Sequence, residues 1–398
     1  MYSLKEVYKI GRGPSSSHSM GPEYASGDFL KRYPSAARYQ VTLYGSLALT
    51  GRGHLTDQAI LSVFKDRQVE VKFDPDKQDL PHPNTMTFAA YSATDERIAE
   101  VTYLSIGGGN IAVLGEEIKE QSAYPFRNFS GWKEYCHEKH ISLCEAVYLN
   151  EPDIRKYLVK VWAAMQQAVK RGMAAEGVLP GKLSVMRKAQ RLSLPADGET
   201  DEQREKRLIA CYAFAVAEEN AGGGTIVTAP TCGACGVLPA VLTYFKGREK
   251  FSDEKIIDAL AVAGMIGSVI KTNASVSGAE AGCQAEIGTA TSMAAAAVAT
   301  LFDANPEEVE YAAEIALEHQ LGLTCDPVEG YVQIPCIERN AVAAMRALDS
   351  ASIAHILCGT RRISFDLIVQ TMYETGKDIN ARYRETGEGG LAANYRVS

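Results

Sequence analysis

The sequence lacks a run of apolar residues long enough to cross a bilayer without an interrupting glycine or polar side chain. Its most apolar stretch, Ala259 to Ile270, is short and contains Gly264 and Gly267, so it predicts a buried helix instead. The first residues also lack the apolar segment of a signal peptide. We therefore expect a cytoplasmic protein without a membrane partner.

Basic residues are outnumbered by acidic ones: 41 Lys and Arg stand against 49 Asp and Glu, a net charge of -8. An acidic chain repels phosphate backbones, which argues against a nucleic-acid partner. Heptads, fixed-period repeats and low-complexity tracts are also absent from the sequence, so coiled-coil and solenoid folds are not expected. Because 398 residues exceed the size of one ordinary core, two domains are expected.

The residue pattern changes along the chain. The first third alternates strand-like segments, such as Val69 to Phe73, with turn formers such as Gly107 to Gly109. From about residue 150 the pattern is almost wholly helical, and Asn150-Glu151-Pro152 predicts a helix start. The sequence thus predicts a multidomain α+β fold, with a small N-terminal α/β domain at residues 1–148 and an all-α helical domain at residues 149–398.

Three polar, Gly-rich connections interrupt the predicted helices, at residues 222–236, 273–284 and 324–336. Packing does not require such loops, and loops on a rigid scaffold commonly carry chemistry. The first contains Cys232 and Cys235 as a CxxC, but no second CxxC exists to complete a zinc site.

The nine cysteines form an odd set in a chain that is expected to stay reduced, where metal binding or packing is more usual than a disulfide framework. Cys211 and Cys358 fit inert cysteines inside apolar helices. Three others lie in polar loops, where thiolates can converge on a metal: Cys283, Cys325 and Cys336. Their spacing is not that of a ferredoxin, so packing remains the alternative on the residues alone.

The segment GPSSSH places three hydroxyls and an imidazole between two Gly-Pro pairs, at Ser15, Ser16, Ser17 and His18. A helix starting near Met20 would add free backbone amides, and this set of donors suits a small carboxylate. A capping loop that binds no ligand is the alternative.

Two further polar positions follow predicted turns. His54, in Gly51 to Asp57, could be a general base or a substrate contact, although a lone histidine beside a glycine turn is more often structural. Asn84 lies in the segment Pro81 to Thr85, for which a rigid extended loop is the favoured interpretation.

Nine motifs lie in one order along the chain: GPSSSH, GSLALTGRGHLTD, HPNTMTF, SIGGG, TAPTCGACGVLPA, SVSGAEAGCQAEIG, LTCDPV, VQIPCIERNA and TMYETGKDI. Together they resemble the bacterial iron–sulfur-dependent L-serine dehydratases (L-serine ammonia-lyases) over nearly the whole chain. The resemblance implies a single-chain form with a β-type domain before an α-type domain, and conversion of L-serine to pyruvate and ammonia. It also implies a homodimer and a role in amino-acid catabolism and gluconeogenesis.

The resemblance further implies a 4Fe–4S cluster, and the motif matches place its ligands at Cys283, Cys325 and Cys336. Cys232 and Cys235 are then non-ligands, because the family loop often carries other residues there. Some family members end in a cysteine that caps the fourth iron, whereas this chain ends in Arg396-Val397-Ser398. Ser19 stands where a threonine is usual and keeps the hydroxyl.

The implied chemistry needs an acid for the hydroxyl and a base for the α-proton. An iron with only three protein ligands can act as a Lewis acid, by analogy with aconitase-type dehydration. The candidates for the base are His18, His54 and Lys271. The candidates to hold the substrate carboxylate and ammonium are Ser15, Ser16, Ser17 and Asn84. Such a site would combine loops of both domains.

Two other functions remain open on the sequence. One is an L-cysteine desulfidase, whose α-type domain is similar. The other is a regulatory serine-binding protein that retains the N-terminal domain without turnover. A pyridoxal phosphate enzyme is not favoured, because no lysine accompanies Gly222-Gly223-Gly224 in a matching context.

Overall fold

A computed structural model describes residues 1–116 and 122–395. The chain end considered above, residues 396–398, lies outside these described residues. The strands are β1 (Ile10–Arg12), β2 (Arg38–Tyr44), β3 (Gln68–Asp74), β4 (Thr85–Tyr91), β5 (Arg97–Ser105), β6 (Ile111–Val113) and β7 (Thr225–Val227).

Helices make up most of the second part of the chain. The helices are α1 (Gly21–Arg32), α2 (Gly45–Thr50), α3 (Thr56–Phe64), α4 (Phe129–Lys139), α5 (Leu143–Asn150), α6 (Ile154–Ala174), α7 (Ala189–Ser193), α8 (Asp201–Ala221), α9 (Val237–Glu249), α10 (Asp253–Asn273), α11 (Gly278–Ala281), α12 (Thr289–Leu301), α13 (Pro306–Glu318), α14 (Cys336–Ile356), α15 (Phe365–Asp378) and α16 (Gly390–Asn394). The predicted multidomain α+β class is confirmed.

A five-stranded sheet forms the centre of the N-terminal part, in the order β3-β2-β4-β5-β6. Only β2 and β3 pair in parallel, and the other neighbours are antiparallel. Alternate residues of β2, among them Val41 and Leu43, are buried on one face, where Phe29 of α1 and Ile60 of α3 pack. This alternation is the period-2 signal of a half-buried strand, so β-branched and aromatic residues predict the sheet well.

The helical part has α10 and α12 at its centre, and both are buried on nearly all sides. A helix that is apolar all round belongs in a core, and the alanines of α12 allow its neighbours to approach closely. Among the described helices, α10 alone has the length and apolar composition that a membrane span needs. We expected Gly264 and Gly267 to interrupt this stretch, but the helix continues through both. Of its most apolar window, 78% is buried inside the protein, as predicted for a core helix.

The first twelve residues cross from one part of the chain to the other. Leu4 and Tyr8 are buried in the helical core, and β1 pairs antiparallel with β7 at the end of α8. Gly264 of α10 makes this possible, since an added Cβ would lie 2.7 Å from the Tyr8 ring. The helical part therefore contains one strand pair, and its division from the sheet at residue 148 stays a prediction.

Two local predictions are wrong. Asn150 ends α5 instead of starting a helix. The capping box of Ser142 and Glu145 starts α5 earlier, and α6 begins only at Ile154, beyond Pro152. Cys358 is exposed just after α14 and does not lie inside an apolar helix.

We expect Gly172→Ala to destabilise the fold by about 3 kcal/mol, because its methyl group would overlap the main chain of Ala215 where α6 crosses α8. Urea titration of the free energy of unfolding measures the change. The matched control is Gly247→Ala on α9, where no atom lies within 4 Å of the new Cβ. That control should stabilise by up to about 1 kcal/mol, and equal effects of the two substitutions would contradict the packing argument.

Candidate active site

A narrow, partly open chamber forms where loops of the two parts meet. Its walls come from residues Pro14 to Ser17, Gly108, Thr231, Gly233, the segment Val276 to Gly278, Glu286, Cys325, Pro327, Val332, Cys336 and Glu385. All three Gly-rich connections and the GPSSSH loop contribute to it. The enclosed volume is about 30 Å³, so an amino acid enters only if lining side chains turn or a wall moves.

The GPSSSH loop is attached to the helical part by its main chain. The Gly13 N–H donates to the Gly224 carbonyl at 3.0 Å, and the side-chain amide of Asn220 donates to the Pro14 carbonyl at 3.0 Å. Ser16 adds a third link, because its hydroxyl accepts the Cys232 N–H at 2.8 Å. These bonds hold Ser15, Ser16 and Ser17 together on the chamber wall.

Residues Ser16–Met20 form a π-helical turn that leads into α1, and a second π-helical turn, Gln284–Gly288, follows Cys283. The Ser15 hydroxyl caps the first turn by accepting the His18 N–H at 3.2 Å. Wide turns of this kind are rare and are frequent at functional sites. Both lie at this chamber, one from each part of the chain.

His18 and His54 form a buried pair behind the serine loop, with ring centroids 4.4 Å apart. His18 Nδ1 lies 3.4 Å from the Ser15 hydroxyl and its Nε2 lies 3.0 Å from the Ser46 hydroxyl. His54 Nδ1 lies 3.2 Å from the Thr50 carbonyl, and its Nε2 has no partner among the described residues. The ring of His18 is thus one hydrogen bond from the chamber, and that of His54 lies behind it.

Both imidazoles are neutral at pH 7. Burial lowers the pKa of His18 well below its ordinary value, and the charge of His54 lowers it further. Burial also lowers the pKa of His54, to about 4, against the opposing hydrogen bond to Thr50. A neutral imidazole can accept a proton, which a protonated one cannot.

Five predicted residues do not line the chamber wall: His18, His54, Asn84, Lys271 and Cys283. Asn84 is buried beside it, donates to the Ser105 carbonyl at 3.5 Å, and leaves its own carbonyl oxygen without a partner in the described chain. Ser105 in turn donates to the Ser17 carbonyl at 2.8 Å, so Asn84 supports the loop indirectly. Lys271 lies in a larger neighbouring cavity, where its ammonium donates to the Glu6 carbonyl at 2.8 Å.

That neighbouring cavity, which we call the vestibule, has a volume of about 700 Å³. It shares Val276 and Ser277 with the chamber, and Gly107 and Gly108 lie between the two spaces. Within it, burial lowers the pKa of Lys271 to about 8, and the charge of Lys9 adds to the effect. The structure therefore separates Lys271 from the two histidines.

The three loop cysteines come together. Cys283 and Cys325 are buried and share a hydrogen bond that lowers the pKa of the Cys283 thiol and raises that of Cys325. The half-buried thiol of Cys336 is close enough for the charge of Cys283 to add to its burial in raising its pKa. The Arg339 guanidinium also interacts with Cys283 and so favours a thiolate there.

A glycine leaves room beside these thiols. Among the described residues, no three Cys, His, Asp or Glu side chains are arranged around one metal position. Gly278 keeps the space open, since an added Cβ would lie 2.9 Å from the Cys325 sulfur.

Cys232 and Cys235 are fully buried behind the serine loop, among Met20, Val216 and other apolar side chains. Burial raises the pKa of the Cys232 thiol to about 12 and that of Cys235 well above its ordinary value. That neither is a ligand stays a prediction.

Sequence reasoning missed two glutamates of the chamber wall. The Glu286 carboxylate accepts the Thr231 hydroxyl at 2.7 Å and lies 3.9 Å from the Cys325 sulfur. Burial raises the pKa of Glu286, and it raises that of Glu385 to about 8 with help from the charges of Glu286 and Cys283. A carboxylate among small, apolar residues three positions after Cys283 was a usable signal for Glu286. Glu385 had none, because it arrives from a distant segment.

We expect His54 to make stability depend on pH. Because its folded pKa of about 4 lies below the ordinary 6.5, the unfolded chain binds the extra proton, and stability is lost as the pH falls from about 6.5 to 4. His54 should account for a loss of about 3 kcal/mol in the parent protein, and the His54→Gln variant should lack this contribution. Urea titrations at several pH values measure it. The control is His137→Gln, a substitution at an exposed position. If the free energy of unfolding changes equally with pH in His54→Gln and the parent, the assignment is contradicted.

Comparison with known proteins identifies the family of the chain. Residues 78–392 match the profile of the serine dehydratase alpha chain, and residues 3–75 match that of the serine dehydratase beta chain. The chain is similar to L-serine dehydratase 1 of Escherichia coli (42% identical, 98% of this chain and 99% of the relative). It is also similar to the L-serine dehydratase of Haemophilus influenzae, with 41% identity over 98% of this chain and 99% of the relative. For that of Streptomyces coelicolor the identity is 40%, over 98% of each chain. The alignments run over 448 to 452 positions, so these relatives contain segments without a counterpart in the 398 residues of this chain. The resemblance drawn from the motifs is confirmed, and the chain belongs to the bacterial single-chain L-serine dehydratase family.

Proposed function

We propose that the protein dehydrates and deaminates L-serine to pyruvate and ammonia. The observation that carries the proposal is that the GPSSSH loop, Cys325 and Cys336 line one chamber, with Cys283 hydrogen-bonded to Cys325 beside it. The names of the relatives, all L-serine dehydratases, support serine as the substrate over cysteine.

Cys283, Cys325 and Cys336 would hold a 4Fe–4S cluster in this site. When bound, a cluster whose fourth iron lacks a protein thiolate supplies a Lewis acid for the departing hydroxyl. The surroundings suit a thiolate at Cys283, because the hydrogen bond from Cys325 and the charge of Arg339 both favour its charged form.

The α-proton needs a base within reach of the substrate. His18 is the best placed of the three candidates, since it is neutral and touches Ser15 on the chamber wall. His54 packs against it and shares its low pKa, which keeps both rings uncharged. Lys271 faces the vestibule, where a role in substrate entry fits its position better than proton abstraction.

The substrate carboxylate is expected at the serine loop. Ser15, Ser16 and Ser17 line the chamber at the start of the helical turn that leads into α1, where backbone N–H groups attract anions. Asn84 contributes by holding Ser105 and through it the Ser17 main chain.

The atoms then balance without a further reactant. The Cα–H bond breaks and its proton goes to the base, and the Cβ–O bond breaks as the hydroxyl gains a proton and leaves as water. The aminoacrylate tautomerises to an imine, and the addition of water releases ammonia and pyruvate. One serine thus yields one pyruvate and one ammonia.

The homodimer, the cytoplasmic location and the role in amino-acid catabolism and gluconeogenesis rest on the family resemblance and stay predictions. Production of pyruvate from L-serine by anaerobically purified protein tests the central proposal. Release of sulfide from L-cysteine at a higher kcat/KM would favour a desulfidase, and serine binding without turnover at full iron loading would favour a regulatory protein.

We expect Cys283→Ser, Cys325→Ser and Cys336→Ser each to lose most of the iron and sulfide and at least about 100-fold in turnover, because three thiolates are the minimum set for the cluster. Iron and sulfide analysis and the visible absorbance of anaerobic protein give the result. Exposure of the parent to air should lower its activity, and ferrous iron, sulfide and a reductant should restore it.

The exposed Cys358 and the buried Cys232 provide the controls for these variants. Cys358→Ser and Cys232→Ala should keep parental iron and sulfide. Parental iron in all three ligand variants, or full activity of iron-free protein in air, would overturn the cluster assignment.

We expect His18→Asn to lower kcat by about 100-fold or more while iron content stays unchanged, since loss of a general base commonly costs that much. His54→Asn should have a smaller effect, because its ring reaches the chamber only through His18. Exposed His137→Asn serves as the control. Full turnover in both buried-histidine variants with the cluster intact would exclude the pair.

A further inference from the structure

The chamber wall has an uneven distribution of charge. Among the described residues that line it, Glu286 and Glu385 carry carboxylates and none is a lysine or an arginine. The serine loop, by contrast, offers hydroxyl donors. A bound L-serine presents a carboxylate and an ammonium, so each end of this zwitterion needs a partner of the opposite kind.

Glu286 is held at a fixed place in the wall. The Thr231 hydroxyl donates to one carboxylate oxygen at 2.7 Å, and the other lies 3.9 Å from the Cys325 sulfur. Glycines on both sides make room, because an added Cβ at Gly278 would lie 2.7 Å from the carboxylate and one at Gly233 would lie 3.3 Å from it. The carboxylate therefore borders both the thiols and the chamber.

Glu385 is delivered to the chamber by the segment that follows α15. Its N–H donates to the Cys325 carbonyl at 2.7 Å, and the Cys325 N–H donates to the Tyr383 carbonyl at 2.8 Å. Its backbone φ is +60°, which is unusual for a residue other than glycine. Within the described chain no hydrogen-bond donor meets its carboxylate, although Glu286 and Cys283 lie close enough to repel it.

We propose that Glu385, with Glu286 beside it, binds the α-ammonium of the amino-acid substrate. The inference rests on the proposed function and deepens it. Among the described residues of the wall, no other carboxylate could pair with the ammonium. A carboxylate that lacks a donor and faces another carboxylate gains most from a cation placed between them.

The two ends of the substrate would then be held in a fixed relation. Ser16 accepts the N–H of Cys232, and Thr231, the preceding residue, holds Glu286. The carboxylate end and the ammonium end are thereby linked through two consecutive residues of one loop. Hydroxy acids without an amino group would leave the Glu385 carboxylate without a cationic partner beside Glu286, which disfavours them.

The test compares two substrate analogues as competitive inhibitors of the anaerobic holoenzyme. L-Alanine keeps the ammonium and lacks the hydroxyl, whereas 3-hydroxypropionate keeps the hydroxyl and lacks the ammonium. Glu385→Gln should raise the KM for L-serine and the Ki for L-alanine by about 10-fold or more, and change the Ki for 3-hydroxypropionate by less than about 2-fold. Glu286→Gln should act in the same direction, and Glu385→Asp should recover part of the loss.

The matched control is Glu388→Gln, an exposed position on the same segment. KM and Ki report only on loaded molecules, so partial loss of the cluster does not obscure them. The assignment is overturned if Glu385→Gln raises the KM no more than Glu388→Gln does, or weakens both inhibitors equally. A parent enzyme that forms no pyruvate from serine would instead refute the proposed function, and the ammonium assignment would fall with it.

Discussion

The attachment of the serine loop to the helical part is the constraint on which the site depends. Strand β1 pairs with β7, the Gly13 N–H binds the Gly224 carbonyl, and the Ser16 hydroxyl accepts the Cys232 N–H. These bonds fix the end of a loop from the sheet-bearing part against a loop of the helical part. These hydrogen bonds position the serine loop on the chamber wall.

Burial gives the chemical groups of the chamber their properties. It keeps His18 and His54 neutral, so they can accept a proton, and it favours the protonated form of thiols that no cation assists. The hydrogen bond from Cys325, with help from Arg339, reverses this tendency locally at Cys283. The same low dielectric makes a carboxylate without a donor costly, which is why we propose a cationic ligand for Glu385 beside Glu286.

Small residues set the distances in this protein. Gly278 and Gly233 allow the Glu286 carboxylate to lie beside the thiols, and Gly264 lets the N-terminal segment pack on α10. The alanines of α12 do the same for the helical core. A larger residue at such a position adds atoms where no space exists. The fold is then destabilised because the backbone must move, and not because contacts are lost.

Residue patterns by themselves determined the two-part α+β architecture, some of the sheet strands, the core helices and the polar loops, because burial imposes periods of 2 and 3.6 residues on the chain. The motifs also singled out the serine loop and the three cysteines. Only the tertiary structure decided that Lys271 faces a separate vestibule, that His54 lies behind His18, and that Glu385 reaches the chamber. The reason is physical: Glu385 and Cys325 are brought together by backbone hydrogen bonds between segments 60 residues apart, and no local pattern records such a pairing.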